Sequence, residues 1–307
     1  MMRMAFALAC VLSIIGCKSG GNPGGDDDDD GIDAGIDAPP IEDGWTELIG
    51  RDWTISPNAD DTYKCRRIQM TQSMWISGFR AIAPFGTHHT VVTISSGGQT
   101  GDYDCSVLNL DSQMLYASGV ATDELLFPPD VAIQVSAGQY ININLHLFNA
   151  TDDPISGHSG ILVKTSETEP VHKADMMFAG NMNFSIPWGD DRLVEGGCVS
   201  TEADYHVFTL WPHMHQFAKH QKVTATPKGR GQLTLHDDPY TFLEQRNYPM
   251  AELFLPKDSQ IHVTCTYNNN TNPKVEIPFG DSSNEEMCFT GMYKYPAGGG
   301  LFQCSEL

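Results

Sequence analysis

The chain has 307 residues, enough for one large or two ordinary domains with complete hydrophobic cores. Its formal net charge of -21 at pH 7 argues against a nucleic-acid partner, because binding to phosphates requires clustered Lys and Arg. Nine of the 39 acidic residues lie between Asp26 and Asp43, so much of the excess negative charge belongs to one short segment and not to the fold.

The first 17 residues have the pattern of an export signal. Arg3 precedes an apolar stretch that is too short to span a bilayer and that ends at Ile14-Ile15-Gly16-Cys17. This ending resembles the lipobox of bacterial lipoproteins, in which the cysteine carries the lipid. We therefore expect residues 1–17 to be a lipoprotein signal peptide and Cys17 to be the lipidation site. An ordinary cleaved signal that happens to contain cysteines is the alternative.

The expected location is the bacterial cell envelope, with the lipid anchor as the sole membrane contact. Lys18 follows the cysteine, and nothing there resembles an inner-membrane retention signal, so we expect the outer membrane. Residues 18–44 are dominated by Gly, Asp and Pro and are predicted to form a disordered tether. Asp26–Asp30 lack the alternation of a calcium-binding loop and are interpreted as a solvated run of charges.

The remainder of the chain has the pattern of an all-β protein. Short runs of strand-forming residues alternate with Gly, Pro and Asn clusters, and no long stretch repeats at helical spacing. We expect two tandem domains, at residues 45–166 and 167–307.

Two histidine-containing segments lie in the first predicted domain. His88 and His89 open an apolar strand, where adjacent side chains normally point to opposite faces. Both could bind one metal only if the backbone is irregular there, or if one ring uses Nδ1 and the other Nε2. His146 lies on a strand, Gln139–Asn149, whose polar face it shares with Asn142 and Asn144. That face indicates either a site or a solvated surface.

The second predicted domain contains a His-x-His pair. On the strand Phe208–His215, His213 and His215 project from the same face and form a potential chelating pair. Met287 lies between an acidic run and Cys288, which is an unusual setting for a core methionine.

The cysteines favour disulfides over thiolate chemistry. Six cysteines remain after the export signal, an even number that reads as three disulfides with fifteen possible pairings in an exported protein. They form no C-x-x-C motif, so metal chemistry would have to come from His and Met.

The order of these motifs resembles a known family. The sequence has His-His, then a strand ending in Leu-His, then His-x-His, then Glu-Met-Cys. This order is similar to that of the copper type II, ascorbate-dependent monooxygenases, which include peptidylglycine α-hydroxylating monooxygenase and dopamine β-monooxygenase. The supporting segments are Thr62–Cys65, Met114–Ala117, Leu126–Pro128, Cys265–Asn268 and Glu286–Cys288.

The resemblance implies a fold and two copper sites. The expected fold is two tandem jelly-roll-like antiparallel β-sandwich domains, each holding one copper, in a bacterial lipoprotein member of the family. By position, the ligands of an electron-donating copper would be His88, His89 and His146. The ligands of the catalytic, oxygen-activating copper would be His213, His215 and Met287, and the methionine thioether favours Cu(I) over zinc.

The resemblance also implies disulfides and a substrate class. The implied disulfides are Cys65–Cys105, Cys198–Cys304 and Cys265–Cys288. Trp211 and Phe289 stand at two positions where the peptide-amidating branch binds a substrate carboxylate. Without a cation there, a carboxylate would be costly to bury, so we expect a small apolar or aromatic substrate instead.

The expected activity is hydroxylation of an activated C–H bond by dioxygen, with ascorbate or another one-electron donor as reductant. The alternative is a copper-binding or copper-handling envelope lipoprotein without hydroxylase activity. A β-sandwich used only for adhesion is a third possibility, although it would give no reason for six ligands at two sites.

Overall fold

The computed structural model describes residues 44–105, 113–119, 122–242, 244–280 and 282–306. The predicted signal peptide with Cys17, and the predicted tether up to residue 43, lie outside these residues. Within the described ranges the chain is built from strands and has no helix, as predicted. In the same ranges no helical segment has the length and apolar character needed to cross a bilayer.

The strands of the first half are β1 (Thr46–Ile55), β2 (Ala59–Gln69), β3 (Met74–Ile82), β4 (Thr87–Ser95), β5 (Gly101–Asp104), β6 (Gln113–Gly119), β7 (Leu125–Leu126), β8 (Val131–Val135), β9 (Tyr140–Asn149) and β10 (Ile155–Ser166). The strands of the second half are β11 (His172–Asn181), β12 (Ser185–Ile186), β13 (Gly189–Cys198), β14 (Tyr205–His213), β15 (Ala218–Thr226), β16 (Leu233–Pro239), β17 (Tyr248–Leu255), β18 (Gln260–Asn269), β19 (Ile277–Pro278), β20 (Cys288–Tyr295) and β21 (Cys304–Glu306).

The strands form a layered, sandwich-like arrangement of mainly antiparallel sheets. In the first half, β5-β2-β9-β4-β6 form one sheet, and β1-β10-β3-β8 belong to another. In the second half, β13-β18-β15-β16 form one sheet, and β11-β20-β14-β17 lie in the same sheet as β1-β10-β3-β8. This arrangement confirms the predicted all-β sandwich class.

One sheet runs through both halves of the chain. Its halves meet where β8 pairs with β11 in parallel, with His172 opposite Val131 and Ala174 opposite Ile133. The predicted domain boundary at residue 166 falls between β10 and β11 and stays a prediction. The shared sheet means that the two halves do not depend on a flexible linker for their relative position.

Alternation along the strands builds the cores. On β9, Ile141, Ile143, Leu145 and Leu147 are fully buried on one face, as their spacing predicts. The opposite face of the same strand carries Asn144 and His146, which are also buried. The strand is therefore enclosed on both sides, and its polar face is not a solvated surface.

Three disulfides connect the described cysteines. The pairs are Cys65–Cys105, Cys198–Cys304 and Cys265–Cys288, the same pairing that the family resemblance implies. The last pair joins β18 to the first residue of β20, directly after Met287.

A buried ion pair fastens the end of β20 to β11. The ammonium of Lys294 lies 2.6 Å from a carboxylate oxygen of Asp175, and the two side chains are 0% and 8% exposed. Lys294 also donates to the carbonyl oxygens of Pro296 and Gly298, and the Gly298 N–H donates to Asp175. Both charged groups are thus hydrogen-bonded beyond their contact with each other, which is the condition under which a buried ion pair is tolerated.

We predict that Lys294→Met lowers the free energy of unfolding by about 3–5 kcal/mol, because it leaves the Asp175 carboxylate buried without its cation. Urea denaturation of the disulfide-intact protein measures this. The matched control is Lys228→Met, since Lys228 pairs with Asp258 at 2.7 Å on the surface and should contribute only about 0–1 kcal/mol. Equal losses in the two variants would contradict the structural role of the buried pair.

Candidate metal centres

Three histidines of the first half converge on one point. The Nδ1 atoms of His88, His89 and His146 lie 3.2–3.3 Å from one another. In an equilateral triangle of this side, the centre is about 1.9 Å from each corner, close to the roughly 2.0–2.1 Å typical of a metal–imidazole bond. Among the described residues, these three form a group whose ligand atoms all lie within 4.8 Å of one another. We call them the first ligand set.

A backbone irregularity brings the two adjacent histidines together. The register between β4 and β9 shifts between Thr87 and His89, so His88 occupies a bulge, while His89 lies opposite His146. A β-bulge re-aims the side chain of the extra residue. Adjacent rings can therefore face one point, and all three use the same nitrogen, Nδ1. The sequence required either an irregular backbone or the use of Nδ1 by one ring and Nε2 by the other. The structure shows the irregular backbone.

The second ligand set consists of His213, His215 and Met287. β14 ends at His213, and His215 lies just beyond it, with 5.2 Å between the two ring centroids. The Nδ1–H of His213 donates to Gln245 Oε1 at 3.0 Å, and that of His215 donates to the Glu285 carbonyl oxygen at 3.0 Å. Because both acceptors require a proton on Nδ1, each ring keeps its Nε2 lone pair available for a metal.

Met287 reaches this set from the segment that precedes β20. Its side chain lines the same cavity as those of His213 and His215. Its backbone carbonyl accepts the Tyr267 hydroxyl hydrogen bond at 2.8 Å, and Cys288 beside it is held by a disulfide. Two imidazoles with one thioether are a soft donor set that suits copper, and Cu(I) in particular.

The second set is further fixed by Glu286, which is completely buried. Its carboxylate accepts the backbone N–H groups of His215 at 2.8 Å, Phe217 at 2.7 Å and Met287 at 3.3 Å. Burial raises the pKa of Glu286 to about 8, against the lowering effect of these N–H donors. One side chain thus connects the backbone of two ligands that lie far apart in the sequence.

The ligating rings are held in the neutral form. Burial, with a further contribution from His215, lowers the pKa of His213 to about 3. Burial also lowers the pKa of His89 and of His215. Neutral imidazole is the form that coordinates metals, so these rings would release no proton on binding a metal near neutral pH.

Both ligand sets border one cavity. Its walls include His89 of the first set and all three members of the second set. The cavity has a volume of about 90 Å³ and is lined mostly by apolar side chains. Trp211 and Phe289, the two residues predicted to contact substrate, both line it and are 2% and 3% exposed.

Two residues that the sequence analysis did not single out stand between or beside the ligand sets. The Phe242 ring lies 4.5 Å from the His88 ring and 6.2 Å from the His215 ring, so it contacts both sets. Gln245 orients His213 and is 1% exposed. Both lie in residues 240–247, between β16 and β17, where no periodic pattern marks a functional position.

One aromatic ring stacks on a ligand histidine in each set. Tyr63 on β2 stacks on His146 with 4.6 Å between centroids, and Trp211 stacks on His213 at 4.7 Å. His206 on β14 is not among the residues that line the cavity; it stacks on Tyr295, and its Nδ1 is hydrogen-bonded to Glu252.

Comparison with known proteins gives one informative match. Residues 172–305 match the family model described as copper type II ascorbate-dependent monooxygenase, C-terminal domain. This range contains His213, His215 and Met287. No curated protein sequence matches the chain.

Two solved structures align with much of the chain but have low similarity. The major capsid protein P2 from bacteriophage PM2 covers 80% of this chain and 96% of its own, with 9% identity and a TM-score of 0.33. The N-terminal CBM22-1-CBM22-2 tandem domain of Xyn10C from Paenibacillus barcinonensis covers 84% and 95%, with 8% identity and a TM-score of 0.20. Neither TM-score is high enough to support an argument about fold or function.

The family match falls on the half of the chain that holds the second ligand set, and the donors of that set suit the metal that the family uses. Residues 172–305 therefore form a C-terminal domain of the copper type II ascorbate-dependent monooxygenase family.

Proposed function

We propose that this protein is a copper-dependent monooxygenase that hydroxylates an activated C–H bond of a small substrate. One atom of dioxygen would enter the C–H bond, and the other would leave as water, with two protons and two electrons supplied from outside. Ascorbate or another one-electron donor would supply the electrons. The observation that carries this proposal is the single cavity bordered by both ligand sets.

The two sets fit copper with different roles. The first set offers three nitrogen donors, and the second offers two nitrogens and a thioether. Copper held by these residues would supply one-electron transfer at the first set and dioxygen activation at the second, giving two coppers per chain. The other parts of the proposal concern what the protein's own residues do.

The protein supplies preorganised ligands and a mostly apolar cavity. Gln245 and the Glu285 carbonyl fix the tautomers of His213 and His215 before any metal binds. The Phe242 ring lies against His88 of the first set and His215 of the second, and so places an apolar group beside both. Excluding water protects reactive species from side reactions and strengthens electrostatic interactions within the site.

The substrate that we propose is apolar or aromatic. Trp211 and Phe289 line the cavity together with Phe178 and Met114. An aromatic wall binds a ring by apolar burial and by ring–ring contact. Dioxygen and this small molecule are the proposed partners, and the strongly negative chain is not proposed to bind nucleic acid.

We further propose that the protein works at the cell envelope as a lipoprotein. The Ile14–Cys17 pattern supports this proposal. The three disulfides are in keeping with an oxidising compartment. If the enzyme is exported, its copper, its reductant and its substrate must all be available outside the cytoplasm.

The stoichiometry of copper tests the two-site assignment. We predict that the wild-type protein binds two coppers per chain and that His146→Ala binds one, because the first set loses a ligand while the second is untouched. Elemental analysis of the dialysed protein measures this. His262→Ala, a change at an exposed histidine, is the control and should retain two coppers. Two coppers in His146→Ala would refute the first site.

Gln245 provides a test of ligand orientation. We predict that Gln245→Leu weakens Cu(I) binding at the second set by about 10–100-fold, because His213 loses the acceptor that fixes its ring. Competition with a chromophoric Cu(I) chelator measures the affinity. Gln216→Leu is the matched control, since the exposed Gln216 side chain bonds to Asn284 and not to a ligand. Unchanged affinity in Gln245→Leu would contradict this role.

Oxygen consumption tests the activity itself. With copper, ascorbate and a panel of small aromatic compounds, the wild-type protein should consume dioxygen and form hydroxylated product. Met287→Ile should reduce the rate by at least about tenfold, because the soft ligand that favours Cu(I) is lost. Met250→Ile, outside the cavity lining, is the control. Two bound coppers without substrate-dependent oxygen uptake would favour a copper-handling protein instead.

A further inference from the structure

The wall of the cavity carries no charged side chain among the described residues that line it. Apolar groups such as Phe178, Phe289 and Val91 make up most of the wall. An ion entering such a cavity loses its hydration and finds no side chain of opposite charge. The nearby carboxylate of Glu286 is already occupied by backbone N–H groups.

Three polar atoms of residues in this wall have no hydrogen-bond partner among the described residues. They are the hydroxyl oxygen of Ser118, the indole Nε1 of Trp211 and the amide Oδ1 of Asn144, and these residues are 1%, 2% and 5% exposed. Most buried polar groups in folded proteins are hydrogen-bonded, so unpartnered atoms gathered at one cavity indicate a ligand that supplies the missing groups. Trp211 and Asn144 are the two that differ in role. Trp211 offers a donor, and Asn144 offers an acceptor.

These two residues flank different ligand sets. Trp211 stacks on His213 and lies two positions before it on β14. Asn144 lies two positions before His146 on β9, on the same strand face. A molecule that satisfies both atoms would therefore contact the cavity wall beside each set.

We propose that the substrate is a neutral molecule with an aromatic-sized apolar body, one hydrogen-bond acceptor for the Trp211 N–H and one donor for Asn144 Oδ1. Primary amides and alcohols of this size have the required groups, whereas carboxylates and alkylammonium ions do not suit the uncharged wall. Calling this molecule the substrate rests on the proposed function. The preference for a neutral over a charged molecule depends on the cavity alone.

The preference is tested by calorimetry on the metal-free protein, with three probes of similar size and different charge. These are phenylacetamide, which is neutral, phenylacetate, which is an anion, and 2-phenylethylamine, which is a cation. Phenylacetamide should bind at least about tenfold more tightly than either ion, because only the ions lose the hydration of a full charge. Equal or tighter binding of either ion, or failure of phenylacetamide to bind at millimolar concentration, would overturn the proposal.

Variants then test the two polar contacts. Trp211→Phe keeps an aromatic ring but removes the N–H, and it should weaken phenylacetamide by about 3–10-fold. Binding of ethylbenzene, which has no acceptor, should change by less than about twofold. Asn144→Leu should likewise weaken the binding of phenylacetamide and leave the binding of ethylbenzene nearly unchanged. Trp188→Phe, a change at a half-exposed tryptophan outside the cavity lining, is the matched control.

The variant results are decisive in either direction. If Trp211→Phe and Asn144→Leu both bind phenylacetamide as tightly as the wild type does, the two polar contacts do not exist and the proposal fails. If the amide preference holds but the copper-loaded protein consumes no dioxygen with any neutral probe, the cavity assignment stands and the monooxygenase proposal fails. The two failures are therefore distinguishable.

Discussion

The second ligand set depends on one buried carboxylate. Glu286 accepts backbone N–H groups from His215 and Phe217 on one segment and from Met287 on another. A typical intramolecular hydrogen bond contributes about 0.5–1.5 kcal/mol, and a buried N–H left without a partner costs about 1–3 kcal/mol. The three bonds to Glu286 together hold His215 in place, although it lies beyond the end of β14. The two imidazoles and the thioether come together because their backbones share this acceptor.

The first ligand set is positioned differently, because its members lie on the neighbouring strands β4 and β9 and must point to the same side. A regular strand would send His88 and His89 to opposite faces. The bulge between Thr87 and His89 changes the aim of His88, and strand pairing places His89 opposite His146. The ligand positions are thus set by backbone hydrogen bonding, and the Tyr63 ring stacked on His146 limits rotation of that ring.

The sequence predicts the parts of the structure that follow from local periodicity. Alternation predicts the buried face of β9, and the His-x-His spacing predicts that His213 and His215 share a side. An even cysteine count predicts disulfides, but the count alone leaves fifteen pairings. The sequence could not decide between a bulge and mixed ring nitrogens at His88 and His89, because register depends on the partner strand.

Residues that act through tertiary contact were not predictable in the same way. Gln245 and Phe242 lie in residues 240–247, a short segment that shows neither strand alternation nor helical spacing. Their roles arise from where that segment lies against β6 and the histidines. Asn144 is an intermediate case, since its polar strand face was recognised but fitted a solvated surface equally well. The structure resolves this, because Asn144 is buried and Asn142 accepts a hydrogen bond from the Tyr103 hydroxyl.

The segment that carries Gln245 also joins the two halves of the chain at the cavity. The Gln245 carbonyl accepts the Gly119 N–H at 3.2 Å and the Thr122 hydroxyl at 3.0 Å, and the Asn247 side-chain amide donates to the Ala117 carbonyl at 3.4 Å. The side chain of Gln245 meanwhile orients His213 of the second set.

The same short segment therefore sets the position of a ligand and the distance between the ligand sets. Moving the halves apart would break its bonds to β6 and would withdraw Phe242 from the histidines of one set. The continuous sheet through β8 and β11 restrains the same movement from the other side. Two independent constraints thus keep both ligand sets on one cavity, and they explain how a mostly apolar site can be assembled from two halves of the chain.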